Sequence, residues 1–231
     1  MTSGRKPAAA APATPVQAAR GEHWWPVALA IVVAAFLHVA LPAKYRVDPA
    51  WVVPAVLLAL LAALISGDPG RIDRQKTWLR IVTGAVIAFL TVANLLAAIH
   101  LFHDILTNNK LFAGNATGLL ATGGVIWATN VIAFALWYWD LDAGGAASRA
   151  AGVKQPSPAF VFPEMTMPEY APSDWYPEFA DYLSLSFNTA TAFGPTDVSA
   201  VKRWAKMMMT AESAVSLSVV VLVVSRAVNL L

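Results

Sequence analysis

One carboxylate stands alone in the last apolar run of the chain. From Met207 to Ser225 the only charged residue is Glu212, six residues past Lys206. On a helix that is a depth of about 9 Å. A carboxylate placed so deep in hydrocarbon is costly unless paired, hydrogen-bonded or wetted, so by default it reads as functional: a proton site, a pore lining or a coupling acid. Ser213 adjoins it and Ser216 lies one turn on, while Thr210 and Ser218 add hydroxyls around more than one face. The structural alternative is a glutamate that reaches back to Lys206, or that bonds Asn94 or Asn130 on a neighbouring helix. On that reading the serines let helices pack closely.

The segment before this run has a second constellation. Asp181 to Phe193 is half-apolar and 13 residues long, about 20 Å as a helix, too short for a hydrocarbon core of roughly 30 Å. Gly194-Pro195 then stops any helix. A half-helix, a breaker and a full span, with Thr189-Ala190-Thr191-Ala192-Phe193-Gly194-Pro195-Thr196-Asp197 between them, resemble the pore loop and inner helix of the potassium-channel superfamily. The family pattern is T-x-T-T-V-G-Y-G-D. Thr189, Thr191, Gly194 and Asp197 fall in register, and Trp204-Ala205-Lys206 stands where many such channels carry W-G-R. The same C-terminal part, with its Thr196-Asp197-Val198 segment, basic residues and Ser-rich last helix, is similar to a bacterial multi-pass membrane family carrying a domain of unknown function. The resemblance implies a pore-like motif of Thr189, Thr191, Phe193, Gly194, Thr196 and Asp197 that handles small ions in a homo-oligomer, a tetramer if it forms a pore. Ala192, Pro195 and Thr196 depart from the filter pattern, which implies altered or lost selectivity. From the residues alone, Thr196 and Asp197 read equally well as N-capping groups for the next helix.

Other candidates are weaker. His100, His103 and Asp104 share one helical face, a spacing open to zinc or to proton switching, but three ligands within one turn favour interfacial capping. There is no cysteine, so thiolate metal sites, disulfides and cysteine nucleophiles are excluded. Neither a serine–histidine pair nor a phosphate-cradling loop is evident. The expectation is no enzyme, no metal and no cofactor.

The elements that must hold these groups are membrane helices. The 231 residues are 58% hydrophobic and 13% charged, against roughly 25% charged in soluble domains. Residues 1–23 are Ala/Pro-rich and read as a disordered tail. The apolar run that follows, Trp24 to Leu41, is longer than the core of a cleaved signal, about 7–15 residues. Residues 24–139 read as four transmembrane helices, with spans near Trp24–Leu41, Trp51–Ser66, Trp78–Phe102 and Thr117–Trp139. Trp137-Tyr138-Trp139 marks a headgroup boundary. Residues 140–180 form an acidic linker rich in Pro and aromatics, either a segment lying on the interface or capping the bundle, or a flexible spacer. Residues 181–231 supply the re-entrant half-helix and the fifth span.

Alternating these spans with the N-terminus in the cytoplasm leaves only Lys44, Arg46, Lys110 and Arg226 outside, a positive-inside pattern. It also puts the half-helix and Asp197 on the cytoplasmic side, opposite to a potassium-channel filter, and the charge pattern decides the topology. The reading is an all-α integral protein of a bacterial inner membrane, five spans plus a re-entrant half-helix. Its partner is the lipid bilayer, and nothing suggests nucleic acid. Its function is pore-loop and channel-like. The alternatives are a non-conducting scaffold or accessory subunit and a proton-linked transporter using Glu212.

Overall fold

The computed structural model describes residues 21–67, 72, 77–107, 112, 114–151, 157–172, 175–191 and 197–230. Phe193, Gly194 and Thr196 of the pore-like motif lie outside them. The described residues form eight α-helices: α1 Trp25–Ala40, α2 Val52–Gly67, α3 Thr77–Leu106, α4 Ala116–Leu141, α5 Ala146–Ala151, α6 Pro163–Thr166, α7 Phe179–Thr191 and α8 Arg203–Val228. Three of them, α3, α4 and α8, are long and apolar enough to cross a membrane. The two others in the apolar half, α1 and α2, have 16 residues each, about 24 Å.

Local sequence sets the ends. Pro26 opens α1, where its missing N–H costs nothing. Asn115 caps α4 by accepting from the Gly118 N–H at 2.7 Å. Asp181 reaches back to the Glu178 N–H at 2.8 Å, the acidic half of a capping box at the start of α7.

Packing defines two ends. Trp24, Leu61, Ile65, Leu79, Arg80, Trp139 and Asp140 border one cavity, so α1 and α3 start and α2 and α4 finish at that end. Leu41, Tyr45, Leu101, Ala116, Leu119, Val223 and Ala227 share a buried cluster at the other. Helices α1, α3 and α8 therefore run away from the cavity end, and α2 and α4 run toward it. Glycine allows the closest approach of α4 to α8: a Cβ on Gly123 would meet Val223 Cγ2 at 2.8 Å.

The described part of the 140–180 segment is a cap over the cavity end. A 3-10 turn at Asp142–Gly144 contains Ala143 at φ 48°, and Gly145 follows at φ 91°, in the region glycine adopts without strain. Strand β1 (Phe160–Val161) pairs antiparallel with β2 (Ser199–Ala200), Phe160 opposite Ala200. This short ladder and a bridge residue at His23 are the departures from an all-helical fold among the described residues. Phe160 packs on Tyr138, Tyr182 and Trp204, and Phe162 on Trp175 and Tyr182. Phe160 and Phe162 therefore pack inward, while Tyr170 of the same segment is exposed.

The direction of α7 matters most. It starts beside the cap, where the Phe179 N–H donates to Glu22, and α8 also starts there, with Trp204 on Phe160. Both helices run away from the cap. Ser199, opposite Val161 in the cap ladder, therefore lies back at the end where α7 began.

Candidate functional site

Glu212 sits on α8, nine residues past Arg203 and fully buried. One carboxylate oxygen, Oε2, accepts from the Tyr138 hydroxyl of α4 at 2.5 Å. The other, Oε1, is hydrogen-bonded to Ser186 of α7. Ser186 also lies 2.7 Å from the Val131 carbonyl of α4. Among the described residues the ion pairs are Lys44–Asp104 and Arg46–Asp48; no cation among them pairs with Glu212. Its partners are thus two hydroxyls on two different helices, which corrects the expectation of Lys206, Asn94 or Asn130. Asn130 instead donates to Ser216 at 3.0 Å, a second link between α4 and α8.

These polar groups form a waist. Above it, toward the cap, α4 contributes Ile132 to Trp139 to one apolar cluster; below it, α4 and α8 contribute Leu119, Ile126, Val219 and Val223 to the other. Asn130, Glu212, Ser216 and Ser186 lie between, all buried. A hydrogen bond in so dry a place is strong, and an unmade one costs correspondingly more.

Thr189 and Thr191 both give their hydroxyl hydrogens to carbonyls of α7. Thr189 is buried and donates to the Leu185 carbonyl at 2.8 Å, and its own carbonyl accepts from Ser213 at 3.0 Å. Thr191 donates to the Asn188 carbonyl at 2.9 Å. Asp197 is exposed. The exposed face of α7 is Ala180, Ser184, Phe187 and Asn188, so its outward polar groups are Ser184 and Asn188, one turn apart. Those two were not among the sequence candidates.

A second buried network holds the top of α7. Tyr182, one turn before Ser186, donates to Asp142 Oδ2 at 2.7 Å, and Asp142 Oδ1 accepts from the Ala159 N–H at 2.6 Å. The Arg149 guanidinium lies 4.9 Å over the Tyr182 ring and donates to the carbonyls of Trp139 at 2.8 Å, Asp142 at 2.9 Å and Pro177 at 3.2 Å. Glu22 accepts from the Trp139 indole N–H and, at 3.0 Å, from the Phe179 N–H. Sequence reading leaves Glu22 in a disordered tail, but it is buried and caps α7, because a carboxylate at a helix N-terminus satisfies an orphan donor. Burial pushes its carboxyl up to about 7, against the opposing charge of Arg149 and the two donors.

Asp104 accepts from Lys44 and from Tyr45, both at 2.6 Å, and fastens α3 to the turn after α1. His100 and His103 are exposed. No acid–histidine group able to hold a metal occurs among the described residues.

Comparison of the chain with protein-family profiles, with curated proteins and with solved structures finds no match.

Proposed function

We propose that this is a multi-pass membrane protein of five spans in which α7 is a re-entrant half-helix, and that it moves small ions under the control of a proton on Glu212. The observation that carries the reading is the bond between Glu212 and Ser186, which ties the half-helix to the last span at mid-depth. Ser186 has one hydrogen and two acceptors in reach, the Val131 carbonyl and the Glu212 carboxyl. A protonated Glu212 satisfies all three groups, since the acid donates to Ser186 and Ser186 donates to the carbonyl. An ionised Glu212 takes the serine hydrogen, so the bond from Ser186 to the Val131 carbonyl is lost while that carbonyl keeps its helical partner. Losing the proton therefore removes one tie between α7 and α4, and α7 is the element that carries Thr189 and Thr191 of the pore-like motif.

Three further observations support the reading. The common start of α7 and α8 at the cap end is what a dip into the membrane requires. Ser184 and Asn188 on its exposed face cannot be left to lipid hydrocarbon, so water or a second copy of the chain covers them, as in a homo-oligomeric pore. Arg80, Arg149, Lys202 and Arg203 lie at the cap end, and Lys44, Arg46 and Arg226 at the other, which favours a cytoplasmic cap and N-terminus. On this topology α7 enters from the cytoplasmic face, opposite to a potassium-channel loop.

A second reading, a proton-linked carrier with Glu212 as coupling acid, is favoured by the lack of a cation beside that carboxyl among the described residues. Ion flux through purified protein in liposomes under separate potassium, sodium and proton gradients separates the two. A passive flux altered in Glu212→Gln, Ser186→Ala and Asn188→Leu supports the pore. A solute flux that requires a proton gradient and is lost in Glu212→Gln supports the carrier. Folded, inserted protein with no flux above empty liposomes leaves a scaffold or accessory subunit.

A further inference from the structure

A cavity of about 90 Å³ opens at the cap end between α1, α2, α3 and the turn after α4, and Glu212 is not among the residues that line it. Its walls are largely apolar, with Val27, Leu61, Ile65 and Leu79 prominent. Two opposite charges border it, Arg80 from α3 and Asp140 from α4. No ion pair joins them; among the described residues the ion pairs lie elsewhere. Arg80 is exposed and Asp140 half-buried. A cation and an anion that share one hollow without touching leave room for a molecule carrying the complementary pair.

We propose that this cavity binds a phospholipid with a zwitterionic, primary-amine headgroup. The phosphate meets the Arg80 guanidinium, whose fork of N–H donors suits phosphate oxygens. The ammonium meets Asp140, which as a carboxylate can only accept. A quaternary amine has no hydrogen to donate there, and a net-anionic headgroup would be repelled by Asp140. Trp24 and Trp139 are among the residues that line the cavity, and tryptophan is a type that marks the headgroup level of a bilayer. Its volume is about that of three waters in the liquid, too small for a whole lipid, so it takes the junction of headgroup and glycerol. The acyl chains run down the outside of α2 and α3, where Leu58 and Ile81 are exposed. The inference rests on the chain being a membrane protein and not on ion movement or on Glu212.

The test is native mass spectrometry of the full chain, delipidated in mild detergent and titrated separately with phosphatidylethanolamine, phosphatidylcholine, phosphatidylglycerol and free phosphoethanolamine. Phosphatidylethanolamine is expected to bind most tightly, and Arg80→Gln and Asp140→Asn each to weaken it about tenfold, the scale of one charge-assisted hydrogen bond. Leu61→Trp, which fills the cavity, removes the preference while leaving both charges in place. Equal binding of all three lipids overturns the proposal, as does an ethanolamine preference that survives both charge substitutions. Free phosphoethanolamine competing as well as the lipid overturns the lipid as the source of the headgroup. Near-UV circular dichroism identifies any variant that has lost its packing; Arg80→Gln, at an exposed position, keeps the test decisive.

Discussion

Tyr138 donates its hydroxyl hydrogen to Glu212 across 2.5 Å, joining α4 to α8 at the point where Ser186 of α7 reaches the other carboxylate oxygen. Three helices thus meet at one carboxyl. Tyr138→Phe keeps the ring and its contacts with Phe134 and Phe160, and leaves one Glu212 oxygen without its donor. The expected loss is about 1–3 kcal/mol. Glu212→Ala adds a void and strands the Tyr138 hydroxyl while Ser186 keeps the Val131 carbonyl, so it costs more, whereas Glu212→Gln retains a carbonyl and a donor and costs least. Thermal unfolding in detergent should rank the variants from most to least stable as Glu212→Gln, Tyr138→Phe and Glu212→Ala. A Glu212→Ala protein as stable as wild type would show that the waist holds nothing together.

Gly123 and Gly124 are neighbours on α4 with opposite surroundings. A Cβ on Gly123 runs into both methyl groups of Val223, at 2.8 and 2.9 Å, whereas one on Gly124 meets nothing within 4 Å. Gly123→Ala must push α8 away and is expected to cost about 1–3 kcal/mol. Gly124→Ala relieves the entropy cost of a helical glycine and is expected to stabilise by about 0.5–1 kcal/mol. Unfolding midpoints of the two variants should therefore move in opposite directions; equal shifts would mean that α4 and α8 are not in contact at this level.

Arg149 fixes the cap by binding three carbonyls and lying on Tyr182. Lysine keeps the charge but has no planar fork, so it cannot reach three oxygens or stack in the same way. Arg149→Lys is expected to cost about 2–3 kcal/mol. The loss should concentrate in the cap, seen as faster limited proteolysis between residues 157 and 178 with the helices retained. Unchanged cleavage there would remove Arg149 as the fastening of the cap.

Much of the helical layout was legible because apolar runs, tryptophans and breakers act locally. The Trp24-Trp25-Pro26 cluster and the Trp137–Trp139 triplet mark helix ends in the sequence, and α1 to α4 fall within a few residues of the expected spans. The isolation of Glu212 was equally legible, since a charge in an apolar run is visible without knowing its neighbours. Its partners were not. Tyr138 sits in an aromatic triplet that reads as an interface belt, yet it turns inward. Ser186 is one hydroxyl among several in a half-polar segment. Which of them faces Glu212 depends on how α4, α7 and α8 rotate against one another, which no short spacing encodes. The one usable signal was the spacing of Tyr182 and Ser186, two hydroxyls one turn apart on α7, each bonded to a buried carboxylate. Glu22 was missed for a related reason: a single acid in an Ala/Pro-rich tail carries no mark of a helix start more than 150 residues away.

Glu22 also gives the fold a dependence on pH that can be predicted in sign. Burial raises its carboxyl from the ordinary range to about 7 in the folded chain. Between about 4.5 and about 7 the folded chain then holds a proton that the unfolded chain has released. Stability is therefore greatest below that window, falls as pH rises through it, and levels off above it, by roughly 3 kcal/mol in all. Glu22→Gln removes this contribution to the slope, because the amide keeps an acceptor for the Phe179 N–H and has nothing to titrate. Chemical unfolding in detergent from pH 5 to pH 8 should show wild type losing stability across the range and Glu22→Gln losing less over the same interval, the difference being the share of Glu22. A wild-type protein that gains stability as pH rises, with the gain abolished in Glu22→Gln, would mean that the pull of Arg149 and the two donors outweighs burial and that Glu22 is held ionised.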